Sequence, residues 1–326
     1  MVNKLLSVKN LIIHYETDNG IVEAVNNISF DIGRGETLGL VGETGAGKTT
    51  TALGIMRLIP DPPGRMISGS IEFNGEKLEK KHDLEMRLIR GNKISMIFQD
   101  PMTALNPVIT VGEQIAEVVR LHSKLSKADA AVKAQEMLEA VEIPAERYGD
   151  YPHQFSGGMK QRVIIAIALA CNPELLVADE PTTALDVTIQ AQVLEIIKKL
   201  KEDFNTSMLL ITHDLGVVAE ICDRVAIMYA GEIVEYGTRE HIFRNARHPY
   251  TIGLFGSLPS LDKDIERLNP IHGLMPDPTN LPGYCSFYDR CNHKTQDCKK
   301  NDPKSVEVEP GHKVKCLLYQ GKEAKV

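Results

Sequence analysis

The sequence predicts an α/β fold on three observations. Short apolar runs at 36–41, 93–98, 175–180 and 207–212 have the length of buried strands, and stretches of helical apolar spacing lie between them. The first of these runs, Glu36–Val41, leads straight into the glycine-rich Gly42-Glu43-Thr44-Gly45-Ala46-Gly47-Lys48-Thr49. Helical sequence from Thr50 to Ile59 follows, closed by Pro60. The third observation is length: 326 residues make about two domains with ample material for a buried core.

Composition is globular, with 43% apolar and 25% charged residues, no low-complexity tract and no internal repeat. A net charge of −7 supplies no overall field to attract phosphates, which counts against a nucleic-acid binder. No apolar run reaches the roughly eighteen residues of a membrane span, and no signal-peptide pattern follows Met1. The expected location is the cytosol, with any membrane-spanning left to other subunits.

In chain order, Leu5–Tyr15 and Ala24–Ile32 alternate as strands joined by the turn Thr17-Asp18-Asn19-Gly20. Tyr15, at a strand end, offers a face on which a purine can stack, although a lone tyrosine there is more often plain packing. In the loop, Gly42, Gly45 and Gly47 let the backbone fold back so that several N–H groups meet one anion. The helix that follows adds the partial positive charge of its N-terminus. Lys48 can reach the β- and γ-phosphates and Thr49 can place a hydroxyl on Mg²⁺. With Ala46 and Thr50, these are the expected nucleotide-binding residues of the loop.

Gly69–Asn74 and Lys93–Phe98 read as further strands, the second ending at Gln99, which can reach a metal-bound water or the γ-phosphate. Thr110–His122 and Ala128–Val141 are helical by apolar spacing and belong to an α-rich insertion over about 101–170. Within it, Phe155-Ser156-Gly157-Gly158-Met159-Lys160-Gln161-Arg162 opens a helix running to Ala170. Ser156 is a good N-cap and the two glycines expose backbone N–H groups, which makes a second anion site. In a chain with one phosphate loop, that second site points to a nucleotide held by a partner. Leu175–Glu180 is a buried strand ending in two carboxylates: Asp179 suits a Mg²⁺ water shell, and Glu180 is placed to polarise an attacking water. Helical sequence at Val187–Lys201 precedes the strand Ser207–Thr212, which ends at His213, a candidate γ-phosphate contact. Arg224–Tyr229 and Glu232–Tyr236 form a hairpin through Ala230-Gly231.

This ordered set (Tyr15, the phosphate loop, Gln99, Ser156-Gly157-Gly158-Met159-Lys160-Gln161, Asp179-Glu180, Ala184-Leu185-Asp186, His213) closely resembles the ATP-binding subunit of an ABC transporter over about residues 5–245. The resemblance implies a P-loop NTPase (RecA-like) core with an antiparallel β subdomain and an α-helical signature subdomain. It also implies a head-to-tail dimer that sandwiches ATP, so that Ser156, Gly157 and Gly158 bind the partner's γ-phosphate. Catalysis falls to Glu180, His213 and Gln99, and Mg²⁺ to Thr49, Gln99 and Asp179. The GTP reader N-K-x-D is missing, since Asn92-Lys93-Ile94-Ser95 has no aspartate. Non-transport relatives need a long coiled-coil insertion or two cassettes, and the chain has neither.

Further stretches resemble the "D"-type ATPase of dipeptide and oligopeptide importers: Phe98–Pro107, Pro152-His153-Gln154-Phe155, Thr182–Thr188, His248-Pro249-Tyr250-Thr251 with Leu258-Pro259, and Leu281–Cys291. Lys160 stands where many relatives carry arginine. The implied division is an ATPase domain over 1–245 and a small loop-rich extension over 246–326. The implied partners are a second homologous ATPase subunit, two transmembrane permeases that Met102 and Leu105 would approach, and an extracytoplasmic peptide-binding protein. The implied place is the cytoplasmic face of the cell membrane. Nickel or another small solute is the alternative cargo.

Four of the six cysteines crowd the extension as Cys285-x₅-Cys291-x₆-Cys298-x₁₇-Cys316. A reducing compartment disfavours disulfides, so metal ligation leads. Zinc sites usually contain tight C-x₂₋₄-C pairs, which these gaps lack, whereas an Fe–S cluster takes four looser thiolates. The resemblance points the same way, since importer ATPases with this pattern carry a [4Fe–4S] cluster; Zn²⁺ is the runner-up. The nearby Lys294, Lys299, Lys300, Lys313 and Lys315 alternate with Asp297, Asp302, Glu307 and Glu309 and read as a solvated surface rather than a nucleic-acid face.

Overall fold

The computed structural model describes residues 4–183, 185–257 and 270–320. The polypeptide packs as two compact units, one drawn from 1–7, 31–37 and 72–212, the other from 8–30, 38–71 and 213–326. In chain order the elements are β1 (Lys4–Thr17), β2 (Gly20–Gly33), β3 (Thr37–Val41), α1 (Lys48–Met56), β4 (Gly64–Phe73), β5 (Glu76–Lys77), α2 (Asp83–Ile89), β6 (Ile94–Ile97) and α3 (Pro101–Ala104). They continue as α4 (Val111–His122), α5 (Lys127–Ala140), α6 (Gly157–Leu169), β7 (Leu175–Asp179), α7 (Val187–Asp203), β8 (Ser207–Thr212), α8 (Leu215–Ile221), β9 (Arg224–Tyr229) and β10 (Glu232–Thr238). After β10 come α9 (Arg239–Arg244), α10 (Pro249–Gly256), β11 (Val306–Glu309) and β12 (His312–Val314).

In the first unit, β6, β7 and β8 pair in parallel, from Ile94↔Leu175 to Ile97↔Ala178 and from Leu175↔Ser207 to Asp179↔Ile211. All three strands are buried along their length, which is why they read as continuous apolar runs rather than alternating ones. Parallel strands put their C-terminal ends on one edge, so Gln99 beyond β6 and Glu180 beyond β7 emerge together. Between β6 and β7, Thr110, Ser126 and Ser156 cap α4, α5 and α6 through their hydroxyls. Gly112 is required there, because a Cβ would lie 2.1 Å from the Tyr148 ring.

α2 is absent from the sequence reading. Only Met86 and Ile89 are buried on it, while Leu84 and Leu88 are exposed, so its apolar residues show no single face.

In the second unit, β3 pairs in parallel with β9, from Leu38↔Arg224 to Val41↔Ile227. The β9–β10 hairpin turns through Ala230 (φ 47°) and Gly231 (φ 80°), the left-handed pair a tight hairpin needs. β4 begins at Gly64, five residues before the expected start at Gly69. Gly69 stays in the strand because it has no side chain to meet Leu11, whose Cα would be 2.7 Å from a Cβ.

Within the loop-rich extension two short strands form. β12 pairs antiparallel with β10 (Glu235↔Val314, Tyr236↔Lys313) and β11 pairs with β12, so the tail lengthens the sheet by two strands. Both are short and charged, which hid them in the sequence. The attachment centres on the buried Glu235 carboxylate. It accepts from the backbone N–H groups of Arg247 at 2.7 Å and His248 at 2.9 Å, and pairs with His312 at 2.8 Å. Burial holds the His248 imidazole down to about 4, so it is a neutral acceptor for the Tyr250 N–H at the start of α10.

Candidate functional site

The phosphate loop joins β3 to α1 within the second unit. Gly45 and Gly47 take positive φ (82° and 97°), and a Cβ on Gly47 would stand 2.2 Å from the Ala24 carbonyl oxygen. Gly42 is equally constrained, with the Met228 carbonyl 2.2 Å from where a Cβ would be. Ala46 is buried; its carbonyl accepts from Gly231 N–H at 3.1 Å, tying the loop to the β9–β10 turn. Lys48 begins α1, two residues before the expected start. Its Nζ donates to the carbonyls of Gly42 at 2.8 Å and Glu43 at 3.0 Å, which stretches the side chain along the loop. Gly47 is the N-cap of α1 and, as a glycine, brings no side-chain hydrogen bond of its own. Thr49 is exposed and Thr50 half-buried in that turn. Glycines at 42 and 47 with no room for a Cβ, a lysine laid along the loop and a helix that starts at a glycine cap suit a polyphosphate.

Tyr15 is half-buried on β1, and its ring lies over Gly64, where a Cβ would come within 2.7 Å of Cε1. His213 is exposed just beyond β8, and Asp214 caps α8 by accepting from Gly216 N–H at 2.8 Å.

The first unit assembles the acidic site. Asp179 is buried at the end of β7. Glu180 sits in the left-handed region at φ 47°, a conformation costing a non-glycine residue about 1–3 kcal/mol and common at functional positions. Its N–H donates to Ile211 O at 2.8 Å, and its carboxylate accepts from Gln99 Nε2 at 3.1 Å and Thr183 Oγ1 at 2.8 Å. Gln99 and Glu180 are therefore brought together from separate strands, as the parallel pairing requires.

Ser156, Gly157 and Gly158 form the start of α6, the first two exposed and the third half-buried. Ser156 Oγ accepts from Met159 N–H at 3.4 Å, and Gly158 has no room for a Cβ, which would meet Ile189 at 2.4 Å. Behind them, buried Gln161 donates to the Pro181 carbonyl at 2.6 Å, linking this turn to the segment after Glu180. Of the Ala184-Leu185-Asp186 stretch, Ala184 lies outside the described residues, as do Leu258 and Pro259.

The four extension cysteines line one cavity together with His248 and Phe287. All are free thiols, and burial pushes Cys285 up to about 12 and Cys316 up to about 11, with Cys291 also raised. Among the described residues no three His, Cys, Asp or Glu groups stand together as they would around a single metal ion. The thiols come from separate places in the chain, Cys298 from a short helical turn over Gln296–Lys299 and Cys316 from just beyond β12. Two of the extension lysines illustrate local pairing. Lys315 pairs with Glu232 and with Asp302 at 3.1 Å, and Lys294 lies 5.3 Å from the centre of the Tyr288 ring.

Sequence reasoning missed the contacts that reach the phosphate loop from the extension. Arg290 donates from Nη1 to both Glu43 carboxylate oxygens, at 3.0 and 3.1 Å, and Tyr250 Oη accepts from the Glu43 N–H at 3.1 Å. No spacing rule could find the ion pair, since Glu43 occupies a position the loop motif leaves open and Arg290 lies 247 residues away.

Residues 25–183 match the ABC transporter family, and residues 234–298 match the oligopeptide/dipeptide transporter C-terminal region. The dipeptide transport ATP-binding protein DppD of Bacillus subtilis (strain 168) is 50% identical across 97% of this chain and 95% of its own length. The oligopeptide transport ATP-binding protein OppD of Escherichia coli (strain K12) is 48% identical across 96% and 93%. This chain belongs to the ABC transporter ATP-binding proteins. Among solved structures, this ABC ATPase superposes on the dimeric post-hydrolysis state of the ATP-binding cassette MJ0796 bound to ADP and Pi. The TM-score is 0.65 at 29% identity, over 72% of this chain and 98% of that one. The expected P-loop NTPase fold and ATPase activity therefore stand. Among the described residues no helix of the ABC ATPase is long and apolar enough to cross a membrane.

Proposed function

We propose that this ABC ATPase powers an importer of dipeptides or oligopeptides. The observation that carries the reading is likeness across nearly the whole chain, extension included, to relatives named as dipeptide and oligopeptide transport ATP-binding proteins. The proposed assembly is a head-to-tail pair with a second homologous ATPase subunit, bound to two permeases at the cytoplasmic face of the membrane and served by an extracytoplasmic peptide-binding protein. The exposed Ser156-Gly157 turn supports the pairing, as does the dimeric state of the superposed cassette. We also propose that residues 1–245 and 246–326 are the ATPase domain and its extension.

In this reading the loop amides, Lys48 and Thr50 bind the ATP phosphates, and Tyr15 stacks on the base. Thr49, Gln99 and Asp179 hold Mg²⁺, which neutralises phosphate charge. Glu180 draws the proton from the attacking water, oriented by Gln99 and Thr183, while His213 contacts the γ-phosphate. Ser156, Gly157 and Gly158 serve the partner's nucleotide. Cys285, Cys291, Cys298 and Cys316 hold a [4Fe–4S] cluster. Their shared cavity and loose spacing suit four irons better than one Zn²⁺, and a cluster would fasten the extension.

Deleting this subunit should abolish uptake of labelled di- and oligopeptides, and wild type should restore it. Glu180→Gln should bind ATP normally, hydrolyse it at least ~10²-fold more slowly and fail to restore uptake. Unchanged peptide uptake in the deletion strain, or loss of nickel uptake alone, would refute the peptide reading.

A further inference from the structure

The second residue of the phosphate loop is a carboxylate, the wrong charge for a site that gathers N–H groups around phosphate oxygens. In this fold Glu43 is not left as a bare charge. Arg290 Nη1 spans both its oxygens at 3.0 and 3.1 Å, and the arginine side chain is only 6% exposed. The rest of the guanidinium is held from the extension and the core sheet. Nη2 donates to Ile271 O and Nε to His272 O, both at 3.3 Å, and Nη1 also reaches Tyr229 Oη at 3.4 Å. A lysine has one nitrogen and could not meet all of these directions at once. Tyr250, packed against Tyr229 and Phe287, fixes the Glu43 backbone from the same side. Met275 Cε would stand 3.3 Å from a Cβ on Gly45, so the extension also backs the middle of the loop.

We infer that Arg290 is a positioning residue for nucleotide binding: it cancels the Glu43 charge and holds the phosphate loop, so the C-terminal extension sets the loop's affinity for MgATP. Without Arg290, a half-exposed carboxylate faces the phosphates within the same eight-residue loop, and affinity falls on the order of tenfold, about 1.4 kcal/mol. The inference rests on the loop being the nucleotide site.

The test uses the full chain for MgATP binding and the assembled transporter for turnover. Arg290→Ala should raise Kd and KM about tenfold with kcat changed less than about twofold, and Arg290→Lys should be intermediate. The deciding variant is Arg290→Ala combined with Glu43→Gln. If Arg290 acts by cancelling charge, removing the carboxylate returns the affinity to within about threefold of wild type. A double variant as weak as Arg290→Ala, or wild-type affinity in Arg290→Ala itself, overturns the inference. Should Arg290→Ala fail to fold, Arg290→Gln deletes the charge while keeping an amide donor, and the same pairing with Glu43→Gln decides. Lys48→Ala separates the two readings. If it keeps its nucleotide affinity, the loop is not the site; if it loses binding while Arg290→Ala does not, only the role of Arg290 fails.

Discussion

The phosphate loop and the four-cysteine pocket belong to the same compact unit, yet they are made in opposite ways. The loop is eight consecutive residues whose shape follows from glycines at positions where a Cβ would strike the Ala24 or Met228 carbonyl. The pocket gathers His248 and Pro249 with residues from 285 to 318. It depends on β12 joining β10 and on the buried Glu235 carboxylate, which grips both ends of the extension through Arg247, His248 and His312. A site built locally tolerates loosening elsewhere and fails at single backbone positions. A site built by tertiary pairing tolerates backbone variation and fails when its anchor goes.

That contrast is most sharply tested at Gly47. Gly47→Ala adds a Cβ 2.2 Å from a backbone oxygen at φ 97°, a strain of about 1–3 kcal/mol or more. Nucleotide affinity should drop ~10- to 100-fold by calorimetry, while amide exchange in the extension stays as in wild type. Loss of protection across 285–316 in this variant would show that the loop is not an independent piece.

The anchor comes next. Glu235→Ala strands buried His312 and two backbone N–H groups, at a cost of about 3–5 kcal/mol. Hydrogen exchange should rise at 245–250 and 306–316, and nucleotide affinity should fall only as far as Arg290 loses its hold on Glu43, no more than the roughly tenfold expected of Arg290→Ala. Wild-type exchange in those segments would remove Glu235 as the anchor.

The smallest effect on the loop belongs to Cys291→Ser. Anaerobically purified wild type should be brown with about four irons per chain, and the variant bleached, if the cluster proposal holds. MgATP affinity should move by less than about threefold, because the hydrogen bonds of Arg290 run to residues 43, 229, 271 and 272 and not through the thiol. A colourless wild type with one zinc per chain would replace the cluster by zinc. A tenfold loss of affinity in the variant would mean that the pocket and the loop are one site.

By itself the sequence determined the phosphate loop, the strand that feeds it, the Ser156 cap of α6 and the edge from which Gln99 and Glu180 emerge. Glycine conformations, caps and the length of an apolar run are local properties, set within a few residues by sterics and burial. It concealed α2, whose apolar residues face both ways, and β11 and β12, whose charges mask their alternation. Only the tertiary structure decided that Arg290 neutralises Glu43, that Tyr250 fixes the loop backbone, and that four separated thiols face one cavity. Partners 207 and 247 residues apart leave no periodic trace in the chain that joins them.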